Sequence, residues 1–195
     1  MSDHQLNLSR SSVLLVQSTT TELDILGQMF VGFLVKSIRK CQTVEEAQQA
    51  AGRTAFDLIV VDADMPDKGA FAFISGVRRQ ADGPNKLAPI LLTCGHTVRG
   101  AVREAIDSGA NFVVAKPITP KIMFDRVVWL ARDDREFVDC DVYVGPDRRR
   151  KSFGPPAGEK GRRHDDLSVE VGAAVGPDMS QAAIDAMLNP KKAVA

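Results

Sequence analysis

Cysteine is scarce in this chain and poorly placed for joint work. Cys41, Cys94 and Cys140 are odd in number and far apart, which argues against a disulfide framework or a cysteine-based metal site. No apolar run approaches the roughly 18 residues that a membrane-crossing helix needs. The opening residues, MSDHQLNLSRSS, lack a basic stretch followed by an apolar one, so no secretory signal is visible. His4, His96 and His164 show no i, i+4 pairing that would suit a metal. There is no Gly-rich phosphate loop, no Ser-His-Asp order and no pair of catalytic carboxylates, so the chain reads as noncatalytic. Aromatic residues are few, at 6%. Net charge is absent too, with 25 basic against 25 acidic residues. A zero sum excludes a strongly basic nucleic-acid binder, but it hides segregation. These absences together point to a soluble, cytoplasmic protein without membrane insertion.

What is present is an ordinary globular composition, with 44% hydrophobic residues over 195 positions. That length fits one domain with an appendage. Residues 1–133 are nearly balanced in charge, whereas 134–144 hold one basic residue against four acidic ones. Residues 145–166 reverse this, with seven basic against four acidic. After Asp139 the chain turns rich in Gly, Pro and Arg, and large aliphatics stay sparse until Ile184. The natural divisions are a folded domain over 11–133, a flexible Arg-rich extension over 134–177 and a short amphipathic helix over 178–192.

Within the first part, strand and helix signals alternate. Val13–Val16, a weak segment around Ser37–Gln42, Leu58–Val61, Ile90–Thr93 and Phe112–Ala115 read as buried strands. Between them, apolar residues from Leu23 recur at helical spacing, with Thr21 as the expected N-cap. Thr43-Val-Glu-Glu46 has the form of a capping box. Further helices are predicted over Ala70–Arg79, Val98–Ser108 (closed by Gly109) and residues 121–132. This alternation predicts an α/β fold: an open, doubly wound parallel sheet covered on both faces. In such sheets ligands sit outside the carboxyl ends of the strands.

Asp62 follows the third strand, Thr93 ends the fourth, and Lys116-Pro117 follows the fifth. Asp62-x-x-Met65-Pro66, Thr93, Gly109-Ala110 and Lys116-Pro117 together resemble the receiver domain of two-component response regulators, the CheY-like group. The resemblance covers roughly residues 11–133 and implies a flavodoxin-like five-stranded sheet of order 2-1-3-4-5. It also implies that Asp62 is the phospho-acceptor, forming an acyl phosphate, with Thr93 and Lys116 binding the phosphoryl group. The bland alternative is that Asp62 only caps its loop. Two departures stand out. Receivers carry two acidic residues after the first strand that hold Mg²⁺, and here those positions are Gln17 and Ser18. Asp62, even helped by Asp64, is a poor substitute, so the pattern argues against Mg²⁺ and against conventional phosphorylation by a histidine kinase. The aromatic that couples to the Thr falls at Val113, with Phe112 one place off and facing the other way.

The extension carries Arg148, Arg149 and Arg150, echoed by Arg162 and Arg163. Read plainly, it is a solvated basic tail. DNA binding is a weak alternative, because the excess charge is small and only Phe153 interleaves as a stacking aromatic. A sharper reading starts from the guanidinium fork, which suits guanine edges and phosphates alike. This segment resembles the arginine-rich tail of CheY-like cyclic di-GMP effectors, which implies cyclic di-GMP as ligand and ordering of residues 143–166 as the coupled event.

Ser180 can cap a short helix with Ile184, Met187 and Leu188 on one face. A helix of about ten residues is unstable alone in water, so it must fold against something. The plain reading is a terminal helix packed on its own domain. Ser180-Gln-x-x-Ile184-Asp185-Ala-Met187-Leu188 is also similar to the N-terminal peptide of the flagellar switch protein FliM, which implies motor-switch or chemotaxis partners. The peptide would act either in cis, on its own receiver, or in trans.

Overall fold

The computed structural model describes residues 8–95, 99–148 and 179–188. Ser12–Val16 (β1), Ser37–Cys41 (β2), Leu58–Asp62 (β3), Ile90–Cys94 (β4) and Phe112–Ala115 (β5) form one parallel sheet of order β2-β1-β3-β4-β5. Thr20–Gly32 (α1), Val44–Arg53 (α2), Gly69–Arg79 (α3), Arg99–Asp107 (α4) and Pro120–Leu130 (α5) supply the crossovers. β1, β3 and β4 are buried almost throughout, which explains their unbroken aliphatic runs: a strand covered on both faces has no solvent side to mark with polar residues. The predicted order is the observed one.

Local chemistry sets the helix starts. Thr43 accepts from the Glu46 amide at 3.2 Å, while the Glu46 carboxylate accepts from the Gln42 amide at 3.0 Å, so the box closes one residue further back than its ideal form. The cap of α1 is Thr19 rather than Thr21: its hydroxyl accepts from the Glu22 amide at 3.2 Å, because a run of three threonines leaves the choice to the backbone. Gly109 ends α4's last turn at φ +99, a left-handed geometry suited to glycine.

After α5 the chain does not become irregular at once. Phe137–Asp139 (β6) and Val144–Pro146 (β7) form a small antiparallel hairpin at the head of the extension. Tyr143 and Val144 are buried, and a side chain on Gly109 would strike the Val144 carbonyl. The terminal helix, Gln181–Leu188 (α6), lies on β5. Ser180 accepts from the Ala183 amide at its start, as the sequence predicts. Among the described residues no helix is long and apolar enough to cross a membrane.

Candidate functional site

At the carboxyl ends of the strands, Asp62 closes β3 directly beside Thr93 of β4. Asp62 is 1% exposed. The cis Lys116-Pro117 bond follows β5, and the Lys116 ammonium stands 2.9 Å from Asp62 Oδ2. It also stands 2.7 Å from Glu22 Oε1 and 3.9 Å from Asp64 Oδ2. Lys116 therefore bridges two carboxylates, with a third nearby. Asp62 Oδ1 accepts from the Asp64 amide at 3.2 Å, and Asp64 in turn accepts from the Gly95 amide at 3.2 Å. Thr93 is fully buried, and its hydroxyl donates to the Val61 carbonyl over a long 3.4 Å.

The charges follow from this packing. Burial pushes the Asp62 carboxyl above its ordinary range, although Lys116 pulls the other way. Glu22 is held below its ordinary value by the Lys116 hydrogen bond. Burial works against the Lys116 ammonium, but the hydrogen bonds it donates to Glu22 and Asp62 outweigh that and raise its pKa. Glu22 was not legible as a site residue. On sequence it is only one acid in the first turn of an amphipathic helix, where the dipole favours acids anyway.

Gln17 occupies the end of β1. It is 1% exposed, and its amide nitrogen has no partner. It lines a small cavity of about 170 Å³ together with Glu22, Leu26, Met29, Lys116 and Pro117. These residues do not fit a divalent cation. Mg²⁺ needs oxygen ligands, typically carboxylates; Gln17 brings a neutral amide in place of a carboxylate, and Asp62 and Glu22 are already spanned by an ammonium. Among the described residues no group of three or more His, Cys, Asp or Glu is arranged to hold a metal ion.

The other edge of the sheet is built differently. Arg78 of α3 is completely buried. Its guanidinium donates to the Gly109, Lys86 and Ala88 carbonyls and to Asn111 Oδ1 at 2.6 to 3.0 Å. Burial pulls its pKa down to about 10. Asn85 fills a similar role, accepting from the Phe56 amide and donating to the Ala51 and Thr54 carbonyls, each at 2.7 Å. The hairpin lies over this lattice, with Arg78 against the Phe137 ring. Tyr143 donates to the Pro146 carbonyl at 2.8 Å, and burial pushes its hydroxyl pKa up to about 12.

Of the five candidate ligand-binding arginines, the structure describes Arg148, whose guanidinium lies 3.7 Å above the Tyr143 ring and pairs with Asp107. It sits with the hairpin at the amino-end edge and thus across the sheet from Asp62. Arg149, Arg150, Arg162, Arg163, Phe153 and the three histidines lie outside the described residues. Val113 and Phe112 are both buried; the Phe112 ring meets Trp129 edge-on and carries Arg126 of α5 over its face. The terminal peptide is brought to the same place. Ile184 and Leu188 are buried, Met187 is partly so, and Asp185 pairs with Arg126 at 2.7 Å.

A parallel five-stranded sheet of order β2-β1-β3-β4-β5 with an aspartate, a threonine and a lysine at its carboxyl ends is the architecture of a receiver-type domain. The chain belongs to the response regulator receiver domain family, whose model matches residues 13–128. It is 31% identical over 72 residues to the chemotaxis protein CheY of Pseudomonas aeruginosa, covering 37% of this chain and 56% of that one. It is 27% identical over 115 residues to the sensor histidine kinase AruS of the same species, covering 57% of this chain. The match spans about half the length of the former and 11% of the latter. The solved chemotaxis response regulator CheY4 of Vibrio cholerae superposes with a TM-score of 0.57 at 23% identity, covering 62% of this chain and 98% of that chain. A putative response regulator from Chloroflexus aurantiacus gives 0.58 at 24%, with 63% and 98% covered. These structures establish the fold.

Proposed function

We propose that this receiver is a noncatalytic, cytoplasmic signalling protein that tunes flagellar motility or chemotaxis, with cyclic di-GMP bound by its Arg-rich extension as the input. The observation that carries the departure from ordinary phosphorelay is the Gln17–Lys116 arrangement. Where a metal would neutralise the charge developing on a transferred phosphoryl group, this site offers an amide donor and a lysine already engaged by Glu22 and Asp62. The nucleotide reading is supported by the Arg content of 148–163 and by Arg148 placed over the Tyr143 ring, where a guanidinium and an aromatic face could each take a base as planar partner. The kinship with a chemotaxis protein supports motor-switch or chemotaxis partners.

Calorimetric titration of the full chain with cyclic di-GMP tests the reading. Binding that is lost when Arg148, Arg149 and Arg150 become Ala is the expected result; no binding, or binding indifferent to those changes, overturns it. A second reading, phosphorelay through Asp62 by a histidine kinase, is favoured by the register that sets Asp62 beside Thr93 and under Lys116. It predicts a stable mass gain with a small phosphodonor and Mg²⁺ that Asp62→Asn abolishes. A pure adaptor role predicts partner binding that survives the Arg changes and is lost with residues 178–195.

A further inference from the structure

The cavity of about 170 Å³ beside Asp62 lies between α1 and the turn that follows β5. Glu22, Leu26 and Met29 recur at helical spacing, so one face of α1 lines it, and Pro117 and Ile118 line it from the turn. Most of that lining is hydrocarbon, with a few polar groups among it, which is the composition of a small-molecule site. The most deeply buried of the polar groups is Gln17, whose amide nitrogen has no partner. The others are Lys116 and Glu22, 2.7 Å apart as an ion pair.

Size, hydrogen bonding and charge together define what fits. The volume is close to that of a dry apolar cavity of about 150 Å³ that takes up benzene, so the space suits one ring or a chain of similar bulk. A buried donor without a partner costs free energy, and an occupant that brings an oxygen acceptor removes that cost. The Lys116 ammonium is already engaged by Glu22 and Asp62, so an anionic oxygen would meet the Glu22 carboxylate with no free counterion. An ammonium group offers Gln17 no acceptor and would stand beside Lys116. A neutral oxygen meets neither penalty.

We infer that this cavity is a binding site for a small neutral molecule, with an apolar body of about one ring and a hydroxyl or carbonyl oxygen that accepts from Gln17. The body packs on Leu26, Met29 and Ile118, next to the lysine that bridges Glu22 and Asp62. The receiver site would then take a molecule where its relatives take a phosphoryl group. This inference does not depend on nucleotide binding by the extension.

The test titrates the full chain with four probes of one shape: benzyl alcohol, toluene, benzylamine and benzoate. Binding is followed by the NMR signals of the Gln17 side-chain amide and the Met29 methyl group. Benzyl alcohol should shift both signals saturably, in the millimolar range that suits so small a probe. Benzylamine and benzoate should bind at least about tenfold more weakly. In Gln17→Leu, read at Met29, the ratio of benzyl alcohol to toluene affinity should fall about tenfold, because only the oxygen loses its partner. That variant deletes a buried unpaired donor, so thermal unfolding should stay cooperative. Benzyl alcohol that gives no saturable shift at Met29 would overturn the site. Equal affinities for benzyl alcohol, benzylamine and benzoate would do so as well. An affinity ratio unchanged in Gln17→Leu would equally overturn the inference.

Discussion

The two edges of the sheet use buried charge in opposite ways. At the amino ends, the Arg78 guanidinium is surrounded by neutral acceptors that meet it at 2.6 to 3.0 Å, and it serves as a nail holding α3, the start of β4, the α4–β5 turn and the hairpin together. At the carboxyl ends, Asp62 is as deeply buried, and burial disfavours its charge as it does that of Arg78, but here an ammonium and further carboxylates crowd together and the Gln17 amide nitrogen lacks a partner. Crowded charge and an unpaired donor at one end, and full hydrogen bonding at the other, separate a site from a scaffold.

The largest expected effect follows from removing the nail. Arg78→Met leaves several buried acceptors without donors, which should cost about 3 kcal/mol or more of unfolding free energy in urea titration. Arg78→Lys should recover little, because one ammonium cannot reproduce the planar fork. Asp62→Asn should by contrast be neutral or slightly stabilising, since the ionised carboxylate is disfavoured where it sits. Comparable losses at both positions would erase the distinction between the two edges.

Acid titration sharpens the same contrast. Glu22 has a folded pKa below its ordinary 4.5, so its stabilisation is present above that value and is lost as pH falls through the folded pKa. Asp62 has a folded pKa above its ordinary 3.8, so its cost is present above the folded pKa and disappears as pH falls through it. Asp62→Asn should therefore lose stability more steeply in acid than the unaltered chain, and Glu22→Gln less steeply. Lys116→Met should raise the Asp62 carboxyl pKa further, as followed by carboxyl carbon NMR. The smallest effect belongs to the rim. Arg148→Ala should cost under about 1 kcal/mol of stability, because its pairing with Asp107 is partly exposed, while removing one of the proposed nucleotide contacts.

Much of this architecture was legible in the chain. Strand boundaries fell within a residue or two, because uninterrupted aliphatic runs ending in Asp62, Thr93 and Lys116 leave few other readings. Those three residues also converge as the sequence indicated. Glu22 escaped because an acid in a helix's first turn has an ordinary explanation. Arg78 escaped because a basic residue in a helix's last turn likewise does, and only tertiary packing turns it inward. The hairpin escaped because its two three-residue strands are too short for periodicity and lie in a segment whose Gly, Pro and charge content signals loop. The terminal helix was visible as an amphipathic stretch, but its seat on β5 depends on Gln181 and Arg126, whose pairing spans positions that no local pattern connects.

On the reading proposed above, a lysine between two carboxylates, beside an amide nitrogen without a partner, stands where metal-assisted phosphoryl transfer would otherwise act. Incubating the full chain with a small phosphodonor and Mg²⁺, beside a Gln17→Asp, Ser18→Asp double variant, and weighing both by mass spectrometry tests it directly. The account predicts no stable phosphoryl adduct on the unaltered chain and one on the double variant, lost when Asp62 is also changed to Asn. A stoichiometric adduct on Asp62 of the unaltered chain would contradict it.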